Sequence, residues 1–196
     1  MTSTKAPFGF RPARRLGGGG ENTMGVTEYR IANGFNSNLF TGDPVKLTTD
    51  GTIVLASVST DYIQGIFMGC RYVDSVTKQP RWSRYWPAGT SSADGTNPGP
   101  RALVMTDPQM NYIVQAVTSV TVGAIGLNIG VTIGVGNTLT GRSAFGVDPA
   151  NGLSATGVGP WRVIDIYDTP DNSFTDAYPV LEVRLIQNAI TRVSAG

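Results

Sequence analysis

The stretch Gly42–Ser57, GDPVKLTTDGTIVLAS, decides the fold class of this chain. Apolar and polar residues alternate on both sides of Asp50-Gly51, a residue pair that favours tight turns. Alternation with a period of two is typical of strands that bury one face, so the stretch predicts a β-hairpin. Pro44 suits the first position of a strand, where its missing N–H costs little. The residues predicted to share the buried face are Val45, Leu47, Ile53 and Leu55.

Strand patterns continue along the chain and no segment shows a helical apolar stripe. The predicted strands include TEYRIA, YIQGIFMGCRYV, the two strands RALVMTD and NYIVQAV around the turn TDPQ, and a closing hairpin of WRVIDIYD and PVLEVRLIQN. The run Thr121–Gly141 has a glycine every few residues, and each would cost a helix about 1 kcal/mol. We therefore expect an all-β protein with little helix. Its body, a β-barrel or β-tulip-like domain over residues 26–196, would follow an extended N-terminal arm over residues 1–25.

Composition argues against an enzyme. The 196 residues include no histidine and one cysteine, which removes the commonest general base and metal ligand and leaves no internal disulfide. Charged residues make up 15% and the net charge is +1, so global electrostatics does not favour nucleic acid. No apolar run is long enough for a membrane span, and the N-terminus lacks a secretory signal. We expect a non-enzymatic protein with no catalytic residues, no cofactor, no metal and no membrane partner.

Three features resemble chemical motifs and are interpreted as structural. Gly136–Ser143 approaches the phosphate-binding P-loop pattern, but Arg142 replaces its lysine and the residues that follow cannot form a helix. Cys70 lies in a β-rich run without a histidine to activate it, so we expect a buried thiol. Acidic residues crowd one turn-forming segment, interpreted as a hairpin loop with a weak cation site as the alternative. They are Asp168, Asp171 and Asp176.

The N-terminal arm is one candidate partner-binding segment. Lys5–Gly20, KAPFGFRPARRLGGGG, combines two aromatic residues with several cations and ends in a run of glycines. A solvated tail does not usually carry two phenylalanines, although a disordered terminus is the alternative. We expect the arm to dock on another chain, and its deletion to leave the β domain folded. The candidate contact residues are Phe8, Phe10, Arg11, Arg14 and Arg15.

Residues 78–101 form the second candidate segment, a polar loop rich in proline and glycine. Its first part, KQPRWSRYWP, interleaves basic and aromatic residues, which are enriched at the centres of protein interfaces. Single-stranded nucleic acid is bound by similar residues, and a local core within the loop is a further alternative. We expect a protein partner, and nucleic acid is disfavoured by the net charge. The candidate contact residues are Arg81, Trp82, Tyr85 and Trp86.

Taken in order, five segments resemble small structural proteins of tailed bacteriophages that accompany the major capsid protein. They are APFGFRP, GDPVKL…DGTIVLAS, YIQGIFMGCRYVD, ALVMTDPQMNYIVQA and WRVIDIYDTPDN…PVLEVRLIQN. The unit GDPVKL…G…A…IQGI is similar to the β-rich lobe of phage head decoration, or cement, proteins, whereas KQPRWSRYWP matches no element of them.

The resemblance implies a barrel-like all-β fold without catalytic residues. It also implies a homotrimer on the outer capsid of the virion, assembled in the host cytoplasm, that contacts the major capsid protein and stabilises the shell. The alternatives are another virion role, as a turret, tail-tube or head–tail connector protein, and a nucleic-acid- or carbohydrate-binding module.

Overall fold

Fourteen β-strands and two single-turn 3-10 helices form the regular structure of a computed structural model that describes residues 3–15, 25–56, 61–155 and 159–190. The all-β class is thereby confirmed. The glycine run at residues 17–20 lies outside the described residues. In chain order the first strands are β1 (Arg11–Arg15), β2 (Val26–Arg30), β3 (Leu39–Phe40), β4 (Pro44–Leu47), β5 (Ile53–Leu55), β6 (Gly65–Val73) and β7 (Pro80–Ser83). The others are β8 (Tyr85–Trp86), β9 (Arg101–Met105), β10 (Met110–Gln115), β11 (Asn128–Thr132), β12 (Gly146–Asp148), β13 (Trp161–Ile166) and β14 (Val180–Leu185). The 3-10 helices are Val122–Ala124 and Pro149–Asn151.

The strands pair antiparallel in two large sheets and one short ribbon. The first sheet has the order β1-β10-β14-β13-β11-β12, and the second has the order β2-β9-β6-β4-β5, with β7 paired to the far end of β6. The ribbon consists of β3 and β8. No closed barrel forms among the described residues, so the barrel expectation is wrong in that respect. Both large sheets stay open.

The opening stretch forms the predicted hairpin. β4 and β5 pair antiparallel, and Gly51 adopts a φ of 72° in the turn, where glycine is favoured. Val45 and Ile53 are buried, but Leu47 is exposed, contrary to prediction. Leu47 is the last residue of β4 and lies opposite the buried Ile53, next to the turn.

The two strands predicted around residues 106–109 are present but do not pair with each other, and the predicted closing hairpin is confirmed. β9 pairs with β2 and β6 in the second sheet, and β10 pairs with β1 and β14 in the first. Each strand therefore already has two neighbours, and the chain crosses between sheets at this point. β13 and β14 pair antiparallel from Trp161 opposite Leu185 to Ile166 opposite Leu181.

Two apolar clusters fill the interior. The first packs the first sheet against the ends of β6 and β9, and the second lies between the second sheet and the β3–β8 ribbon. Phe10 belongs to the first cluster and β1 pairs with β10. Residues 3–15 are thus part of the β body. The expectation of a separate arm over residues 1–25 is wrong for this described part.

Candidate partner-binding surface

Phe10 was expected to contact another chain, and the structure corrects this expectation. Its side chain is 1% exposed and packs on Trp161, with ring centroids 4.0 Å apart. A side chain so completely enclosed by its own chain offers no surface to a partner. Phe10 is an internal anchor that fastens the N-terminal segment to the core.

Arg14 and Arg15 form ion pairs within the chain. Arg14 donates from Nε and Nη2 to the two carboxylate oxygens of Glu182, each at 2.7 Å. Nδ2 of Asn111 donates to the same carboxylate at 2.7 Å, so buried Glu182 is well satisfied. Arg15 Nε lies 3.2 Å from Asp107 Oδ2. Both arginines keep exposed side chains, but their charges are compensated locally.

Phe8 and Arg11 remain at the surface as a pair. The guanidinium carbon of Arg11 lies 4.2 Å from the centroid of the half-buried Phe8 ring, a cation–π arrangement. Burial, and then the nearby positive charge of Arg142, lower the pKa of Arg11 below its ordinary value. Arg11 therefore lies close to another cation.

The segment expected to be a loop at residues 78–101 begins with two strands, which corrects that expectation. Residues 80–83 form β7 on the edge of β6, and residues 85–86 form β8 beside β3. Trp82 on β7 is 67% exposed. Arg81 beside it is exposed and lies 3.6 Å from Asp74 Oδ2. A strand framework therefore holds this tryptophan outward.

Trp86 and Tyr85 face the protein. Trp86 is fully buried, and its Nε1 donates to the Phe35 carbonyl oxygen at 3.1 Å, so its predicted role as a partner contact is wrong. Tyr85 is half-buried and stacks on Phe40 with ring centroids 5.6 Å apart. Of the four candidates in this segment, Arg81 and Trp82 are the exposed ones.

Three arginines from distant parts of the sequence meet around an open groove of about 420 Å³, here called the arginine groove. Its lining residues are Phe8, Phe10, Arg11, Pro12, Thr41, Met68, Arg84 and Arg142. Arg84 and Arg142 are not among the candidate contact residues predicted from the sequence. They come together only through long-range contacts of the fold, which no local sequence pattern predicts.

Hydrogen bonds of Thr41 and Gly42 position the groove. Thr41 Oγ1 donates to the Arg84 carbonyl oxygen at 2.6 Å, and Thr41 N donates to the Gly141 carbonyl oxygen at 3.0 Å, next to Arg142. Phe10 N donates to the Gly42 carbonyl oxygen at 3.0 Å, which fixes the segment that carries Arg11. The three arginines therefore start from fixed backbone positions.

A second exposed feature, missed by sequence reasoning, is the apolar loop, defined by Val135 and Leu139. These side chains are 94% and 95% exposed. Gly136 packs so closely on Phe40 that an added Cβ would lie 2.2 Å from the ring, which holds the loop against the β3–β8 ribbon. Asn137 Oδ1 accepts a hydrogen bond from Leu139 N at 2.8 Å. Asparagine is a common turn former, so Asn137 is the residue in the sequence that could have indicated a turn with outward side chains.

The three motifs interpreted as structural from the sequence lie in the core, in turns and in a loop. Cys70 is buried, burial raises the pKa of its thiol to about 12, and its Sγ donates to the Tyr85 carbonyl oxygen at 3.4 Å. Gly136–Ser143 forms turns without a following helix. Asp168, Asp171 and Asp176 lie in the β13–β14 loop, where Asp176 accepts from Ser173 N at 2.8 Å.

The described part of the chain has no candidate metal cluster and no helix able to span a membrane. In that part no three acidic or cysteine side chains are grouped closely enough to hold a metal ion. None of its helices has the length and apolar character needed to cross a bilayer.

The exposed tryptophan, the arginine groove and the apolar loop have the residue types of a protein-binding surface. Tryptophan and arginine are the residue types that contribute most to protein interfaces. Exposed apolar side chains near cations that form no ion pair with other described residues give such a surface both burial energy and charge selectivity. Comparisons of the chain with protein-family models, curated proteins and solved structures gave no match.

Proposed function

We propose that this protein is a capsid decoration, or cement, protein of a tailed bacteriophage. It binds the outer surface of the mature head and stabilises the shell by bridging major capsid protein subunits. The observation that carries a binding role is the outward presentation of Trp82, Val135 and Leu139 from a β framework. The resemblance of five ordered sequence segments to phage structural proteins supports the choice of partner.

Stabilisation follows from preferential binding. A ligand that binds the closed, mature shell more tightly than the opened shell shifts the equilibrium toward the closed one. The contacts of one copy can be modest, because many linked copies on one shell act together. Association into homotrimers would raise this multivalency, and light scattering on the isolated protein measures it directly.

Copy number in purified particles tests the proposal. Quantitative mass spectrometry should find the protein in hundreds of copies per virion, in proportion to the major capsid protein. A few copies would instead indicate a tail or connector role, and absence from particles would overturn a virion role altogether. Particles that lack the protein should open at lower temperature than complete ones, and re-addition should restore their stability.

A further inference from the structure

The arginine groove holds positive charge that no ion pair among the described residues compensates. Arg11, Arg84 and Arg142 take part in none of the ion pairs formed by the described residues. Arg84 and Arg142 are exposed, and the positive charge of Arg142 helps to lower the pKa of Arg11. Like charges held this close repel one another, and an anion in the groove would relieve that repulsion.

The positions of these arginines are built by the fold. Thr41 is hydrogen-bonded to the carbonyl oxygen of Arg84 and to Gly141, and Ser143 N donates to the Thr41 carbonyl oxygen at 3.0 Å. Arg142 is therefore flanked on both sides by residues bonded to Thr41. A site whose cations are fixed in this way loses less conformational entropy when a ligand binds.

The walls of the groove favour a partner with both carboxylates and apolar side chains. Phe8 and Met68 line it, and the apolar loop continues from Phe40 and Gly136 close by. Guanidinium groups bind carboxylates through paired N–H donors, while the apolar walls bury neighbouring side chains. An open groove rather than an enclosed cavity suits an extended chain.

Nucleic acid fits these features less well. The chain has 15 lysines and arginines against 14 acidic residues, whereas binding along a phosphate backbone uses an extended basic path. The guanidinium of Arg11 already covers one face of the Phe8 ring at 4.2 Å, so that face cannot stack on a base. The charge is local, as expected for a short acidic segment.

We infer that the arginine groove binds the carboxylates of an acidic, partly apolar segment of a partner protein. This inference rests on the proposed function only in taking a protein as the ligand, and it holds for any such partner. It assigns roles to Arg84 and Arg142, which lie outside the candidate residues predicted from sequence.

Calorimetric titration of the isolated protein tests the inference. The probe is an acetylated, amidated peptide GELEELG, and its control is GQLQQLG, which has the same shape without carboxylates. The acidic peptide should bind and the glutamine peptide should bind at least roughly tenfold more weakly, since charge-assisted hydrogen bonds are lost. Added salt should weaken the binding of the acidic peptide but not that of the glutamine peptide.

Matched variants locate the site. Arg84→Gln and Arg142→Gln should each weaken binding of the acidic peptide roughly tenfold. Arg30→Gln, which removes an exposed cation at the end of β2, should leave that binding unchanged. Arg142→Lys keeps the charge but not the paired donors, so it should give an intermediate affinity. If Arg142→Gln fails to fold, the Arg142→Lys variant still tests the role of Arg142 in binding the peptide.

Several outcomes would overturn the inference. Equal affinity for both peptides would exclude carboxylate recognition, and equal effects of the Arg30 and Arg142 variants would place binding elsewhere. Groove-dependent binding of oligothymidylate without binding of the acidic peptide would identify nucleic acid as the ligand. None of these results depends on the abundance of the protein in virions, so this test and the copy-number test fail separately.

Discussion

Phe10 and Trp161 stack with their ring planes 14° apart and their centroids separated by 4.0 Å. Tyr112 meets the same indole edge-on at 5.5 Å. Such aromatic contacts contribute about 0.5–1.5 kcal/mol beyond the burial of apolar area. Because Phe10 lies near the N-terminus and Trp161 opens β13, the contact ties the first strand to the closing hairpin.

The stability of the domain should therefore depend on its N-terminal segment. Phe10→Ala should lower the free energy of unfolding by about 3–5 kcal/mol, as expected for loss of a buried aromatic ring. Phe8→Ala, which truncates a half-buried ring, is the matched control and should cost about 1 kcal/mol or less. Urea unfolding followed by tryptophan fluorescence measures both.

Deletion of residues 1–20 extends the same test. It removes β1 and Phe10 together, so we expect a strongly destabilised domain rather than the independent fold anticipated from sequence. Equal unfolding midpoints for the deleted and full-length chains would contradict a structural role for the segment.

Trp82 and Trp86 should separate binding from stability. Trp86→Ala removes a fully buried indole and should destabilise the protein by about 3–5 kcal/mol. Trp82→Ala should change stability by less than about 1 kcal/mol, because the side chain is largely exposed. If Trp82 contacts the shell, its loss should weaken binding to particles roughly tenfold or more.

Cosedimentation with particles that lack the protein measures that affinity. Shell binding by the Trp82→Ala variant equal to that of the wild-type protein would place the contact elsewhere on the surface. Comparable unfolding midpoints for both tryptophan variants would contradict the burial of Trp86.

Local patterns in the sequence predict the hairpins but not the surface. Asp50-Gly51 forms its turn from neighbouring residues alone, so the β4–β5 pairing is readable. The exposure of the two tryptophans cannot be predicted in this way, because strict alternation would put Trp82 and Trp86 on the same face of a strand. A bend at Arg84 separates β7 from β8 and breaks that alternation, which leaves one indole outside and one inside.

Long-range contacts explain the other differences. Phe10 reaches Trp161 across most of the chain, and no periodic pattern around Phe10 signals that partner. Arg11 and Arg142 are likewise brought together by backbone bonds to Gly42 and Thr41. The high glycine and proline content and the period-two alternation together predict an all-β fold. The surface, in contrast, depends on which distant strands come together in the folded chain.

Asp43 should make stability depend on pH. Burial raises the pKa of its carboxyl from 3.8 to about 6, although hydrogen bonds from Ser143 and Phe40 N partly oppose the shift. Its folded-state pKa lies above the unfolded value, so its contribution to stability is fully present below about pH 4 and is lost as the pH rises through about 6. A shift of about two pKa units corresponds to about 3 kcal/mol.

Asp43→Asn removes that titration and keeps an acceptor for Phe40 N. The variant should be more stable than the wild type at pH 7 by about 1–3 kcal/mol, and the difference should shrink toward pH 4. Urea unfolding between pH 4 and pH 8 measures it. An advantage that stays constant over this range would show that the ionisation of Asp43 is not its cause.

The apolar loop gives the sharpest test of a binding surface that is separate from the fold. Val135→Ser with Leu139→Ser replaces two side chains that are almost fully exposed, so the free energy of unfolding should change by less than about 1 kcal/mol. If these side chains are buried against a partner, each loses about 1.5–3 kcal/mol of apolar burial in the complex. The double variant should therefore bind particles at least roughly tenfold more weakly.

A matched variant controls for the loss of apolar surface in general. Val76→Ser removes another exposed apolar side chain, in the turn between β6 and β7, and should leave particle binding unchanged. Gly136→Ala keeps both loop side chains but forces a Cβ into the Phe40 ring, so it should weaken binding by displacing the loop. If the serine double variant binds as tightly as Val76→Ser, the loop lies outside the interface, and the partner contacts the protein through Trp82 or the arginine groove instead.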